Sequence, residues 1–368
     1  MMMSNLPDDL LEEILCRVPA TSLTRLRSTC KQWNRLVNDS KFARKHNDKA
    51  AKQFLLLMVT EESRVFSLSM NLHGTPSVEA TRELSLIRPE FNSNQVNINN
   101  VFHCDGLLLC TIEKDTRIVV WNPCTGQTKC IQTSDDRPYN YVLGYYQDNK
   151  SCNKSYKILG YKGYYWVIKN FKLYDISSGL WRNLDVVTPD LHILPNYPVS
   201  LKGKTYWFAE DAKEEPQLVK FLLSFDYTTE RLERLRLPYQ FTNYVSMALS
   251  VVREEKLSVL LQRTMTSMKE IWVTTNKIDD GTKVMSWSKL FVVEDSRRDI
   301  WRGISFMVDD EEKKAIIVCY EKRCNIQLWI TTLSIVEEDN KSTQVVFPVL
   351  TELSCQPKFL VNYIPSLN

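Results

Sequence analysis

The residues able to do chemistry are few and poorly placed for it. Four histidines, His46, His73, His103 and His192, are scattered without a paired ligand spacing. The tripeptide His103-Cys104-Asp105 holds a base, a nucleophile and an acid. Adjacent residues of a strand point to opposite faces, so these three cannot form a hydrogen-bonded relay, and core and turn roles are expected. Ten cysteines include no C-x-x-C pair, and Cys104/Cys110 and Cys124/Cys130 are each six apart in strand-like runs. That pattern predicts no zinc site; it reads as reduced, mostly buried thiols of a cytoplasmic or nuclear protein. Ten glycines form no G-x-G-x-x-G, no G-x-S-x-G elbow and no phosphate-binding G-K-[ST] loop. The pair Glu254-Glu255 and the acidic run from Asp309 to Glu312 fall where hairpin turns are expected. No catalytic residue, metal or cofactor is expected, and the chain reads as a binding protein rather than an enzyme.

The composition frames that reading. The 368 residues suggest two or three domains, and 25% charged with 43% hydrophobic residues is the profile of a folded globular chain. The longest apolar runs, Phe54 to Val59 and Ala315 to Tyr320, have six residues, against roughly 18 for a membrane span. The opening MMMSNLPDDLLEEIL carries four acids and no base, unlike a secretory or transit peptide. Neither a membrane nor a secretory role is expected. Residues 1–50 hold nine bases and six acids, while the remainder is balanced at thirty-eight of each. Within the first fifty, residues 17–50 carry nine bases and two acids. Such a patch, interleaved with buried-type residues, suits an acidic protein partner better than nucleic acid.

The first fifty residues predict three short helices. Leu10, Leu11, Ile14, Leu15 and Val18 recur at helical spacing, with Pro7 in the first turn and Pro19 as a stop. A second stripe runs through Leu23, Leu26, Cys30, Trp33, Leu36 and Val37, with Thr21 or Ser22 available as a cap. So small a helical unit buries little surface by itself, which points to a partner.

From Phe54 onward the pattern changes to β-rich runs divided by turn residues. Phe66, Trp121, Tyr174, Phe225, Trp272 and Trp329 mark strands spaced 55, 53, 51, 47 and 57 residues apart. A period near fifty predicts a ring of six four-stranded blades, with Lys358 to Tyr363 supplying a strand to the blade begun at Phe54. Ile271-Trp272-Val273-Thr274-Thr275 and Leu328-Trp329-Ile330-Thr331-Thr332 are nearly identical. Trp121, Trp272 and Trp329 are therefore expected at equivalent positions between blades. Residues 139–166 hold nine aromatics, and Tyr and Trp are favoured interface anchors. Tyr139, Tyr141, Tyr164, Tyr165 and Trp166 are accordingly candidate contacts for a target, the competing reading being an aromatic blade core.

Two resemblances unify these observations. Leu6-Pro7-Asp8-Asp9-Leu10-Leu11-Glu12-Glu13-Ile14-Leu15-Cys16-Arg17-Val18-Pro19, followed by Leu23, Cys30-Lys31 and Trp33, resembles an F-box. The rest is similar to the plant F-box-associated interaction domain. It carries Asp105-Gly106-Leu107-Leu108, Val120-Trp121-Asn122-Pro123 with Gly126, Ser155-Tyr156-Lys157-Ile158-Leu159 and Phe225-Asp226-Tyr227-Thr228. The resemblance implies a mainly β protein with a small N-terminal α domain: an F-box over 1–45, a helical linker over 46–53 and a propeller-like substrate domain over 54–365. It implies docking to an acidic Skp-family adaptor, and through it a cullin–RING ligase, by Leu6, Pro7, Leu10, Ile14, Leu15, Val18, Pro19, Leu23, Cys30 and Trp33. The implied function is that of substrate receptor in a ubiquitin ligase, acting in the cytoplasm or nucleus without chemistry of its own. The alternative is a stand-alone propeller that binds or modifies a small molecule or glycan.

Overall fold

Short apolar runs separated by turn residues fold here into six antiparallel sheets arranged as the blades of a propeller, preceded by four helices. The computed structural model describes residues 7–367 except 51–54, 61–63, 72–76, 85, 87–97, 113–115, 134–139, 148–153, 163–170, 185–190, 195, 212–219, 240–243, 264–265, 279–284, 295–302, 310–312, 324–327 and 346–356. From centre to rim, blade 1 is β25 (Pro357–Tyr363), β1 (Leu55–Thr60), β2 (Val65–Asn71) and β3 (Ser77–Leu84). Blade 2 is β4 (Ile98–Cys104), β5 (Leu107–Ile112), β6 (Arg117–Trp121) and β7 (Thr128–Gln132). Blade 3 is β8 (Asn140–Gln147), β9 (Lys154–Tyr161), β10 (Phe171–Asp175) and β11 (Leu180–Leu184). Blade 4 places β12 (Leu191–Ile193) and β13 (Val199–Leu201) side by side on β14 (Lys204–Asp211), followed by β15 (Lys220–Asp226) and β16 (Arg231–Leu235). Blade 5 is β17 (Tyr244–Val252), β18 (Lys256–Arg263), β19 (Met268–Thr274) and β20 (Trp287–Glu294). Blade 6 is β21 (Gly303–Asp309), β22 (Lys314–Arg323), β23 (Leu328–Val336) and β24 (Ser342–Val345).

Closure runs through β25, which pairs antiparallel with β1 from Leu55↔Tyr363 to Thr60↔Pro357. The expected closing strand is therefore present. Blade 4 departs from four strands because its innermost strand is interrupted. There Asn196 donates through Nδ2 to the carbonyl of Met247 in blade 5, at 2.6 Å, instead of continuing the ladder.

All six aromatic markers lie on the third strand of their blade, but not in one register. Trp121, Tyr174 and Phe225 each precede an Asn or Asp whose Oδ1 accepts from backbone N–H groups further along the turn. Asn122 accepts from Cys124 at 2.8 Å and Thr125 at 3.1 Å, and Asp226 from Thr228 at 2.8 Å and Thr229 at 3.0 Å. Asp175 accepts from Ser177 at 2.8 Å. Each turn ends in the left-handed region, at Gly126 (φ 79°), Gly179 (φ 73°) and Glu230 (φ 57°). Glycine suits that geometry. Glu230 adopts it while its carboxylate takes Lys157 of blade 3 at 2.8 Å and also binds Arg182, so a costly backbone carries a bridge between blades.

Trp272 and Trp329 do not match Trp121. Trp121 faces Thr128, the first residue of its fourth strand, whereas the residues facing the first position of β20 and of β24 are Thr274 and Val336. Trp272 stands two residues, and Trp329 seven, before those positions. Turns set the register, and blades 5 and 6 have Thr275 and Glu337 where blade 2 has Asn122, so the local likeness of the two strands misaligns them. Trp121 is buried, while Trp272 is half-buried, with Nε1 donating to Glu270 at 3.2 Å. The side chain of Trp329 lies outside the described residues.

The His103-Cys104-Asp105 tripeptide serves the fold, as alternation requires. His103 Nε2 accepts from the Gly106 N–H at 3.1 Å, which leaves the ring proton on Nδ1. Cys104 is buried, accepting from Ser200 at 3.2 Å. Asp105 turns the hairpin at φ 52° and binds Lys154 at 2.7 Å and Tyr156 at 2.6 Å.

The helices are α1 (Asp8–Leu15), α2 (Ala20–Leu26), α3 (Lys31–Val37) and α4 (Ser40–Lys49). The second apolar stripe is split at Cys30, an extended residue before α3, and Pro19 rather than Thr21 or Ser22 stands at the start of α2. Of the expected helical linker over 46–53, residues 46–49 form the end of α4, and residues 51–53 lie outside the described residues. α4 is a full member of the helical unit: Asp39 caps it, Phe42 and Ala43 are buried, and Lys45 reaches Glu12 at 2.8 Å.

Replacing Trp121 by Ala is expected to cost about 3–5 kcal/mol, as for a fully buried aromatic. Trp272→Ala should cost clearly less; urea midpoints at constant slope measure both. Burial lowers the pKa of His103 to about 4 from 6.5, against the weaker opposing pull of Glu254 and Asp105. The unfolded chain therefore takes up a proton below pH 6.5 that the folded chain refuses until about pH 4, so this contribution to stability is complete above 6.5 and lost as the pH falls towards 4. Melting of wild type and His103→Gln between pH 7.5 and 4.5 should show a steeper loss in the wild type.

Candidate functional site

The helical unit builds its surface from an amphipathic α1. Pro7 precedes the helix and its carbonyl accepts from Leu10 and Leu11, while Asp8 and Asp9 lie at the positive end of the helix dipole. Leu11 and Leu15 turn inward, onto a core with Cys16, Ala20, Leu23, Val37, Phe42 and Ala43. Leu10 and Ile14 turn outward, 53% and 47% exposed. The i, i+4 spacing places them on one face, one turn apart. α3 is tied to the start of α1 by Gln32 Nε2 donating to Asp8 at 2.6 Å.

Charge is distributed unevenly around this face. Lys49 and Lys45, with Arg17 beside them, hold the Glu13 carboxyl down to about 2. These three bases are thereby matched by Glu12 and Glu13. Arg27 turns to the propeller, both of its Nη atoms standing 3.3 Å from the Thr125 carbonyl. Arg25, Lys31 and Arg35 stand exposed on α2 and α3. The basic excess seen in the sequence is thus concentrated beside, not along, α1.

The expected adaptor residues divide accordingly. Pro7, Leu10 and Ile14 are exposed, Val18 and Trp33 are half-buried against the core, and Pro19 and Cys30 are half-buried. Leu15 and Leu23 are corrected: at 3% and 0% exposure they belong to the internal core and offer no contact surface. Leu6 lies outside the described residues. Two contributions to this unit escaped the sequence reading. Phe42 and Ala43 belong to neither of the two apolar stripes, although Phe42, Ala43 and His46 are spaced for one helical face. Leu367 packs into the same core from the other end of the chain, a contact with no local signal.

In the propeller, Tyr141 is half-buried, its ring 6.0 Å from that of Trp181 in the same blade. Tyr145, Tyr146 and Tyr156 take part in contacts between and within blades. Lys157 lies 3.9 Å from the Tyr146 centroid, and Tyr145 meets Tyr156 edge-on at 6.3 Å. Tyr161 is buried and accepts from Trp207 Nε1 at 3.1 Å. The aromatic density of this blade therefore supplies core packing wherever it is described. Tyr139, Tyr164, Tyr165 and Trp166 lie outside the described residues.

Residues 3–45 match the F-box domain, and residues 55–368 match the F-box associated beta propeller domain. The chain belongs to the F-box-associated propeller family. It is 55% identical over 374 residues to the probable F-box protein At5g47300 of Arabidopsis thaliana, covering 100% of this chain and 87% of that protein. It is 45% identical over 382 residues to the F-box/kelch-repeat protein At3g44120 of the same plant, covering 100% and 96%. The exposed Leu10 and Ile14 are thus apolar residues on the first helix of an F-box.

Leu15→Ala and Leu23→Ala are each expected to destabilise the F-box by about 2–5 kcal/mol, as for buried leucines elsewhere. Leu10→Ala and Ile14→Ala should stay within about 0.5 kcal/mol of wild type, because their side chains face water. Helical circular dichroism during urea unfolding distinguishes the two groups.

Proposed function

We propose that this F-box protein is a substrate receptor of a Skp–cullin–F-box ubiquitin ligase. The observation carrying the reading is the outward pair Leu10 and Ile14, an apolar F-box face that this chain leaves uncovered while burying the neighbouring Leu11 and Leu15. A Skp-family adaptor would cover it, with Arg25, Lys31 and Arg35 steering an acidic partner. The propeller would hold a target protein, its end remote from the F-box being the side free to receive one. The receptor would contribute no bond-making step; tethering raises the concentration of the target near the ubiquitin-carrying subunit. The cytoplasm or nucleus, where thiols stay reduced, suits its buried cysteines.

Truncating desolvated apolar anchors typically costs about 2 kcal/mol or more each, and every 1.4 kcal/mol is roughly tenfold in affinity. The double variant Leu10→Ala/Ile14→Ala should therefore bind a purified Skp-family adaptor about three orders of magnitude more weakly, with melting unchanged. Wild-type binding should also weaken with added salt. Equal recovery of adaptor by both proteins would overturn the receptor assignment.

A further inference from the structure

The segment after β25 does not trail into solvent. Pro365, Ser366 and Leu367 are buried between blade 2 and the F-box. Leu367, 6% exposed, enters the F-box core beside Leu11, Leu15, Leu23 and Phe42, and Cys124 of the propeller closes the same cluster. Asn122 Nδ2 donates to the Ser366 carbonyl at 3.0 Å, from the same side chain whose Oδ1 holds the turn between β6 and β7. Ser366 fills the hollow at Gly106, where a Cβ would lie 2.3 Å from that of Ser366. Immediately upstream, the Tyr363 hydroxyl donates to the Gly106 carbonyl at 3.3 Å, and the Tyr363 ring meets His103 edge-on at 5.3 Å.

These contacts place two events on one piece of chain. Opening the ring requires peeling β25 from β1, because that ladder is what joins blade 1 to its innermost strand. With only Ile364, Pro365 and Ser366 between Tyr363 and Leu367, β25 cannot move far without withdrawing Leu367 from the F-box. Withdrawal leaves a cavity in the F-box core, and loosening of the F-box conversely frees the anchor of β25. Anything that stabilises one arrangement stabilises the other.

We propose that residues 364–367 couple the F-box to closure of the propeller, so that an F-box held by its adaptor tightens β25 onto β1 and a loosened F-box lets the ring open at blade 1. The intramolecular coupling stands on these contacts alone, and its control by an adaptor rests on the function proposed above. It makes assembly into a ligase a condition that protects the receptor's own substrate domain.

Hydrogen exchange of the full chain, resolved by peptide, tests both parts. Leu15→Ala, a change confined to the F-box, should speed exchange in β1 and β25 and leave β18 unchanged; unchanged exchange in β25 would overturn the coupling. Leu367→Ala should speed exchange in α1 and α4 as well as in β25, and the effects of the two substitutions should not add. Added Skp-family adaptor should slow exchange in β1 and β25 of the wild type, within the roughly 5–150-fold range typical of coupled sites. In Leu367→Ala, whose Leu10 and Ile14 face is intact, the adaptor should still bind yet leave β25 unprotected. Equal protection in both proteins would overturn the role of residues 364–367. Failure of the adaptor to bind wild type would overturn the receptor assignment only, since Leu15→Ala still decides the coupling.

Discussion

Everything in this protein depends on one antiparallel ladder, β25 on β1. A propeller made of separate four-stranded sheets has no continuous hydrogen bonding around its circumference, so its blades hold together by side-chain packing. The ladder between the last strand and the first blade is where the two ends of the propeller sequence are bound to each other. It turns an arc of sheets, with two exposed flanks, into a ring whose blades all have neighbours. The apolar clusters then span adjacent blades, as in the one that joins Phe102 and Val120 of blade 2 to Leu143 and Leu173 of blade 3 and Trp207 of blade 4.

Polar contacts refine what the apolar clusters provide. Lys157 reaches the Tyr227 carbonyl at 3.1 Å, Lys154 reaches Asp105 of the preceding blade, and Trp181 and Trp287 each donate to a backbone carbonyl near the end of the preceding blade, Gln132 and Arg236, both at 3.0 Å. Such bonds reward only one relative placement of neighbouring sheets, because a slip of one residue would orphan a partly buried donor. The blades are thus similar in outline and individual at their seams.

The architecture was legible where physics is local. The helical stripes, the change to strands after Phe54, the sixfold spacing of aromatic markers and the closing run Lys358 to Tyr363 all follow from periodicity and turn chemistry. Register was less legible. Trp272 and Trp329 look alike in sequence, but the turn that follows each strand decides which residue faces the next strand, and those turns differ. The candidate site was half legible: the spacing of Leu10, Leu11, Ile14 and Leu15 shows a helix with two apolar sides, but not which side the rest of the chain covers. Leu15 and Leu23 are covered by Phe42 and Leu367, and the second of these lies hundreds of residues away, where no pattern near the helices could announce it.

The burial of Leu367 in a core begun at Leu11 also sets an order of events during synthesis. The F-box leaves the ribosome first, yet its core gains its last side chain only after the whole propeller has been made. At roughly 5–20 residues per second, that is an interval of tens of seconds in which the nascent F-box waits with an apolar gap. The F-box is therefore translated before the propeller yet matures after it, and an adaptor or chaperone that meets the growing chain meets a surface that differs from the finished one.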